Sequence, residues 1–343
     1  MTTLFSLGFG VGTQNSKGEW LEVFYPKPLL NPSAEITQAV SSALNYQNGN
    51  QAIELTSDHI KAVSEALASL DSELAELVLQ LDQSTRPVVA TLLETDAEPK
   101  TTPEAYLKLH LLSHRLVKPH NVNLSGMFAV LPNVAWTNEG AIDLSELSER
   151  QLKARLNGQI LDVDCVDKFP KMTNYVVPTG VRIAHTARVR LGAYIGEGTT
   201  IMHEGFVNFN AGTAGKSMIE GRISAGVMIG EGSDLGGGCS TMGTLSGGGN
   251  IVISVGEGSL LGANSGIGIP LGDRCTVEAG LYITAGTQVT VLDDKGAVVE
   301  VMKARDLAGK NDLLFRRNSQ TGAVECKTNK SAIELNEELH AHN

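Results

Sequence analysis

The chain has 343 residues, of which 42% are hydrophobic and 5% aromatic, and 27 basic side chains against 38 acidic ones give a net charge of −11. That balance argues against general nucleic-acid binding, so an anionic ligand has to be met by a local cluster of basic groups. No stretch approaches the roughly 20 apolar residues that span a bilayer, and the start, Met-Thr-Thr-Leu-Phe-Ser-Leu-Gly, lacks the basic region and apolar run of a secretory signal.

Length predicts two or three structural units. Cys165, Cys239, Cys275 and Cys326 are scattered without CxxC spacing, which points to reduced thiols and a cytoplasmic location. Residues 3–25 read as two strands around an Asn15-Ser-Lys-Gly turn, with Trp20, Leu21, Val23 and Phe24 in the second. Ser57-Asp58 is expected to cap one long amphipathic helix, with Ile60, Val63, Leu67, Leu70, Leu74, Leu77 and Leu81 at helical spacing. Thr102-Pro103-Glu104 opens another helix through about Val117, proline suiting its first turn. His110, His114 and His120 match a metal site by count, but the surrounding Leu111, Leu112 and Val117 favour packing. Residues 126–136 read as a strand, 145–156 as a helix stopped by Gly158, and 160–166 as a strand. The expectation for residues 1–174 is a mixed α/β domain without a chemical motif.

Residues 177–289 carry a different rhythm, an aliphatic residue at every sixth position. Val177, Ile183, Val189, Ile195, Ile201, Val207 and Ile219 share one register, with Thr213 its exception. The beat resumes at Ile229 and Leu235, then at Val255, Leu261 and Ile267, and finally at Leu271, Val277, Ile283 and Val289. Neither a helix nor an isolated strand has this period. Six-residue repeats build a parallel β-helix in which each hexad supplies a short strand and a turn, and stacked coils bury a core that no single coil could. Three hexads close a triangular coil, so residues 175–290 hold about six coils, each rising roughly 4.8 Å. Glycine follows the aliphatic at Gly196, Gly230, Gly236, Gly256, Gly262, Gly268 and Gly272, as tight corners favour. Such hexads build the left-handed form, an exception to the right-handed crossover rule. Beyond, residues 289–302 and 313–327 read as hairpins and 331–340 as a closing helix. Together they form a small β-rich cap over residues 291–343 that protects the last coil.

Chemistry in a solenoid is sought where the repeat breaks. One break is expected at residues 208–217 and a second, glycine-rich one at 236–250. Glycine there either brings backbone N–H groups within reach of a ligand or merely punctuates turns. Asn210-Ala-Gly-Thr-Ala-Gly-Lys-Ser imitates a P-loop, but Asn210 stands where that motif needs glycine and no strand–loop–helix unit surrounds it. His185 and His203, eighteen residues apart, are expected to stack on successive coils. Glu220 and Arg222, two apart, are expected on one side of a strand beside the first break. A carboxylate there suits a base or nucleophile and the guanidinium an anionic substrate, against the plainer reading of a surface ion pair. Lys303, Arg305, Arg316 and Arg317 follow the last coil and are suited to clamping phosphates or carboxylates.

The run Met202-His-Glu-Gly-Phe-Val-Asn-Phe-Asn-Ala-Gly-Thr, followed by Ile219-Glu-Gly-Arg-Ile-Ser-Ala-Gly-Val, resembles the tetrahydrodipicolinate N-succinyltransferase family, in its longer bacterial type. Gly243-Thr-Leu-Ser-Gly-Gly-Gly, Leu261-Gly-Ala-Asn-Ser-Gly, Val277-Glu-Ala-Gly-Leu-Tyr and Leu314-Phe-Arg-Arg-Asn-Ser carry the same resemblance, which is strong over residues 175–343. It implies a homotrimer with active sites between subunits, and transfer of succinyl from succinyl-CoA to the amino group of opened tetrahydrodipicolinate. Glu220 falls on the family's catalytic glutamate, an acyl-anhydride nucleophile or a general base. Arg222, Gly237, Ser240, Ala263, Glu278, Ala279, Gly286, Lys303 and the run Arg316-Arg317-Asn318-Ser319 match positions that bind acyl-CoA or substrate. Relatives hold magnesium on the trimer axis with an acidic pair. Glu204 matches one member, whereas Ala187 stands at the other, and a metal there would be structural. An acetyl-CoA-dependent relative and a non-catalytic binding module are the competing readings.

Overall fold

The computed structural model describes residues 3–243 and 251–328, which divide into two compact units. The expected closing helix at 331–340 and residues 244–250 of the second break lie outside the described residues.

The first unit comprises Met1–Val117, Asn121–Pro170 and Asn174–Val176. Its larger sheet is antiparallel, in the order β2 (Trp20–Phe24), β1 (Ser6–Gln14), β5 (Val88–Leu93), β4 (Gln51–Glu54), with β3 (Leu29–Leu30) also on β1. In β1 the alternation is Leu7, Phe9 against Gly8, Gly10, Gly12. The aliphatic and aromatic side pack with Val40 of α1 (Ala34–Ala43), Ile60, Val63 and Leu67 of α2 (Ser57–Leu67), and Leu74 and Val78 of α3 (Ser72–Gln80). The glycine side takes a closer neighbour: a Cβ at Gly8 would lie 2.7 Å from Leu107 of α4 (Thr102–Ser113) and from the Tyr25 ring. Helix α4 is buried along its whole length. His110 sits within it. The Tyr25 backbone N–H donates to Nε2 and the ring donates from Nδ1 to the Tyr106 carbonyl, so one neutral tautomer satisfies both bonds. Burial pushes the His110 pKa down to about 3, the Tyr106 bond opposing.

Three sequence expectations need correction here. The long amphipathic helix is two helices, because the Asp71 side chain accepts the Leu74 N–H at 2.9 Å and starts α3 anew. Thr56, not Ser57, caps α2, in a capping box with His59. Residues 126–136 are not one strand: Gly126 turns with φ +73°, α5 (Met127–Val130) follows, and only then β6 (Val134–Thr137). A second sheet joins β7 (Gly140–Asp143), β6 and β8 (Val163–Asp167), and α6 (Leu144–Leu156) starts at the Asp143 cap and ends before Gly158 at φ +71°.

The second unit comprises Lys118–His120, Lys171–Thr173 and the chain from Val177 onward. Its short strands form three sheets visited in turn, each strand pairing in parallel with the one a coil later. The register aliphatics run Ile201, Ile219, Leu235, Leu261, Val277 up one sheet, and all are at most 1% exposed. Val177 does not belong to this series; it is 68% exposed and precedes the first strand, Arg182–Ile183. Residues 208–217 are not a break either. Gly212–Thr213 and Ser217–Ile219 continue the coil, and Thr213 fills the inward slot by bonding the Thr199 hydroxyl at 2.7 Å. The glycines after the aliphatics serve close coil spacing rather than unusual backbone angles: a Cβ at Gly196 or Gly230 would lie 2.5 Å from backbone of the next coil. The left-handed conformation falls two residues later, at Gly198 and Gly232.

The cap is woven into the stack. Gln288–Leu292 and Val298–Lys303 form the first hairpin, then Leu313–Arg317 pairs in parallel with Thr276–Val277, placing Phe315 above Val277. Val324–Thr328 joins Leu313–Arg317 to Gln288–Leu292. The four cysteines are free, and no helix among the described residues is long and apolar enough to cross a membrane.

Candidate active site

Five strands of the long sheet turn at the same corner, Thr199–Ile201, Ser217–Ile219, Asp234–Leu235, Leu260–Leu261 and Thr276–Val277, and a sixth, Leu313–Arg317, runs on past it. Each first corner residue donates its backbone N–H one coil up, Met202 to Ile219, Glu220 to Leu235, Gly236 to Leu261, Gly262 to Val277 and Glu278 to Phe315, at 2.8–2.9 Å. The corners therefore stack into a continuous ridge. Glu220, Gly237, Ala263, Glu278, Ala279, Arg316 and Arg317 all fall on it.

One corner is short. Inward residues are six apart from Ile201 to Val207 and from Leu235 to Thr241, but four apart from Ile219 to Ile223. Glu220 and Arg222 are consequently not on one strand, as their spacing predicts. One sheet ends at Ile219, Arg222 begins another, and only Glu220 and Gly221 lie between them. The missing residues recess this corner, leaving Glu220 half-buried while His203 and Glu204 on the corner before stay exposed at 72% and 68%.

The recess has a built floor. A Cβ on Gly221 would lie 2.4 Å from Cys239 Sγ, and one on Gly237 would lie 3.5 Å from Glu220 Oε2. The carboxylate therefore rests over glycine backbone. Burial, and secondarily the Glu220 charge, push the Cys239 thiol up to about 12, so it stays a neutral packing group. Arg222 is aimed by Ser240: its Nε and Nη2 donate to Ser240 Oγ at 3.1 and 2.6 Å. Glu220 and Arg222 do not pair with each other among the described residues.

Further along the ridge, Glu278 Oε2 accepts the Arg317 backbone N–H at 2.6 Å. Arg316 is committed to Glu325 at 2.8 Å, and Asn318 donates to the same carboxylate at 2.7 Å. Asn318 Oδ1 also accepts the Gln320 and Thr321 N–H groups, which holds the turn bearing exposed Ser319. Gly286 and Lys303 are elsewhere, at the next corner around the coil, where Lys303 pairs with Gln288. The resemblance groups these residues with the ridge; within this chain they are separate. Two residues the sequence reading did not single out join the site, Cys239 as floor and Asn264, whose Oδ1 lies 2.5 Å from where a Cβ on Gly238 would be. The sequence signal that could have found it is an asparagine inside Leu261-Gly-Ala-Asn-Ser-Gly, a residue type that tolerates the left-handed conformation it takes here, φ +56°.

The Glu204 corner does not fit an acidic metal pair. Ala187 offers no donor, and Arg188 beside it donates from Nη2 to the Glu204 carbonyl at 2.9 Å, setting a guanidinium there. His203 Nε2 lies 3.6 Å from Glu204 Oε1, and the His185 and His203 rings meet edge to face at 5.2 Å. His120 donates from Nε2 to the Gly226 carbonyl at 2.7 Å, in the unit that does not hold His110 and His114.

A stack of hexapeptide coils with a carboxylate and a guanidinium on a glycine-built corner defines the hexapeptide-repeat transferase class. Residues 252–285 match the family model for the hexapeptide repeat of succinyl-transferase, and residues 131–171 match the middle domain of tetrahydrodipicolinate N-succinyltransferase. The chain is 72% identical over 341 residues, 99% of each sequence, to 2,3,4,5-tetrahydropyridine-2,6-dicarboxylate N-succinyltransferase of Pseudomonas paraeruginosa. Identity to the enzyme of that name from Vibrio cholerae is 58% over 340 residues, again 99% of each. A solved structure from Campylobacter jejuni, described as a putative 2,3,4,5-tetrahydropyridine-2-carboxylate N-succinyltransferase, superposes with a TM-score of 0.89 at 32% identity, covering 97% of this chain and 94% of that one. The chain belongs to the tetrahydrodipicolinate N-succinyltransferase family.

Proposed function

We infer that the chain transfers the succinyl group of succinyl-CoA to the amino group of ring-opened tetrahydrodipicolinate, giving N-succinyl-2-amino-6-oxopimelate and CoA in diaminopimelate and lysine biosynthesis. The full-length identity of 72% to a relative named for this reaction carries the reading. The recessed corner supplies its chemistry. An amine arriving as ammonium must lose a proton before attacking a thioester, and Glu220 is the general base that takes it. The nitrogen lone pair then bonds to the thioester carbonyl carbon, the C–S bond breaks, and the second proton that the nitrogen gives up goes to the departing CoA thiolate. The Gly237 backbone N–H, beside the Glu220 carboxylate, stabilises the oxyanion, its neighbours Gly236 and Gly238 donating to the Leu261 and Glu220 carbonyls. Arg222, preset on Ser240, holds a carboxylate of the substrate.

Ala263, Glu278, Ala279 and the run Arg316 to Ser319 line the acyl-CoA path along the ridge, and Gly286 and Lys303 contribute from a second edge. The coils form a left-handed parallel β-helix, and three chains assemble with each ridge facing a neighbour's second edge, which brings the two groups of residues into one site. The domains are residues 1–174, 175–290 and 291–343, and the enzyme works in the cytoplasm, in keeping with its free cysteines. Mass spectrometry of the product from succinyl-CoA and tetrahydrodipicolinate tests the reading: an N-succinylated amino-oxopimelate is expected, and an unmodified acceptor overturns it.

A further inference from the structure

The first unit holds a cavity of about 230 Å³ between its two sheets, lined by Glu22 and Phe24 of β2, Arg86, Trp136 of β6, Asn174 and Tyr175 among others. Its chemistry is unusual for packing. Glu22 is 7% exposed, and among the described residues its carboxylate accepts only hydroxyl donors, Thr13 at 2.6 Å and Tyr175 at 3.0 Å. Among the described residues it forms no ion pair, and burial raises its pKa, the two hydroxyl bonds and the Arg86 charge opposing. Buried carboxylates are ordinarily paired. The cation is one hydroxyl away: Arg86 Nη1 donates to the same Thr13 Oγ at 3.0 Å. A carboxylate and a guanidinium bridged by one hydroxyl thus line a hollow that also presents Val11, Phe24, Trp136 and a second carboxylate, Asp164. The Trp136 N–H is already satisfied by the Asp167 carbonyl at 2.9 Å, so its ring offers apolar surface.

We propose that this cavity binds a free α-amino acid, its ammonium on Glu22, its carboxylate on Arg86 and its side chain between Phe24 and Trp136. An α-amino acid carries its ammonium and its carboxylate on one carbon, which suits two charged groups bridged by a single hydroxyl. The volume equals that of about eight waters, room for that head and a linear side chain of four or five atoms. Nothing in succinyl transfer uses Glu22 or Arg86, which belong to the first unit.

The test is isothermal titration calorimetry of the full chain with L-lysine, L-norleucine and n-pentylamine. Saturable binding of one or both amino acids is expected, with n-pentylamine, which lacks the carboxylate, at least tenfold weaker. Glu22→Gln keeps the hydroxyl bonds but removes the charge, and Arg86→Gln removes the guanidinium; each is expected to weaken amino-acid binding at least tenfold in a chain that melts normally. No saturable heat from either amino acid overturns the proposal, as does binding unchanged in Glu22→Gln. The KM for the acyl acceptor in Glu22→Gln is expected within twofold of the parent; a change matching the calorimetric loss would assign Glu22 to the acceptor site instead. Because the calorimetry needs no turnover, its outcome stands whichever acyl transfer the second unit performs.

Discussion

Replacing Gly221 by alanine strikes the recessed corner at its tightest contact. The added methyl would lie 2.4 Å from Cys239 Sγ and 2.7 Å from the Cys239 carbonyl oxygen, and Cys239 is 1% exposed with its backbone in the next coil's ladder. Neither neighbour can retreat, so the Glu220–Arg222 corner has to lift. Overpacking of this kind costs about 1–3 kcal/mol, a fall of several degrees in Tm. The larger effect is on turnover. Lifting the corner by about 1 Å carries the Glu220 carboxylate off its seat over Gly237, and a misplacement of that size costs on the order of 100-fold in rate. Gly280→Ala is the control. Its methyl meets nothing within 4 Å, and φ of +73° charges only the left-handed strain of about 1–2 kcal/mol. The two variants should therefore melt alike while only Gly221→Ala loses activity. Adding Cys239→Ala removes the closest contact and should restore part of the rate. Calorimetric melting and thiol release from succinyl-CoA read both quantities. Gly221→Ala with turnover within twofold of the parent would refute this account of the corner.

Glu220→Ala should lower kcat by about 100- to 10,000-fold, the usual reach of a positioned base, with melting unchanged because the side chain is only half-buried. Thr213→Val, although it restores the aliphatic register, should destabilise by about 0.5–1.5 kcal/mol, since it removes one of the two bonds of the buried Thr199 hydroxyl and leaves the one to the Gly215 carbonyl; a gain in Tm would contradict this. Acid stability should depend on His110. Its folded pKa of about 3 lies below the unfolded value, so the unfolded chain binds the extra proton. The stabilisation is full above about pH 6.5 and is lost as pH falls towards 3, by up to about 1.4 kcal/mol per unit. His110→Gln, compared with the parent in urea titrations from pH 7 to 4, should show a flatter decline, and parallel declines would discount the histidine.

The coil core was legible residue by residue, because one inward aliphatic per hexad is a demand of the stack itself: Ile195, Ile201, Val207 and Ile219 are all fully buried. Thr213 shows the limit of that rule, since a hydroxyl pair can fill an aliphatic slot and leave the coil unbroken. Val177 kept the register but has no coil to pack in, and it faces solvent. In the first unit, helical spacing ran on from Leu67 to Leu74 while Asp71 capped a new helix in the middle, a side-chain event that apolar periodicity does not record. The central strand β5, Val-Val-Ala-Thr-Leu-Leu, is buried at every position, so it lacks the alternation by which strands are read. At the site, the residues of the ridge were visible in sequence, but their arrangement was not. Two-residue spacing placed Glu220 and Arg222 on one strand, whereas the four-residue step from Ile219 to Ile223, also present in the sequence, marks the corner between them.

The most direct test of succinyl transfer is the rate of CoA thiol release from succinyl-CoA with and without tetrahydrodipicolinate, run beside acetyl-CoA. Release that requires the acceptor and favours the succinyl donor is the predicted result. Acceptor-dependent release that favours acetyl-CoA would contradict the assigned donor, and no release from either donor by a well-folded protein would contradict catalysis at the Glu220 corner altogether.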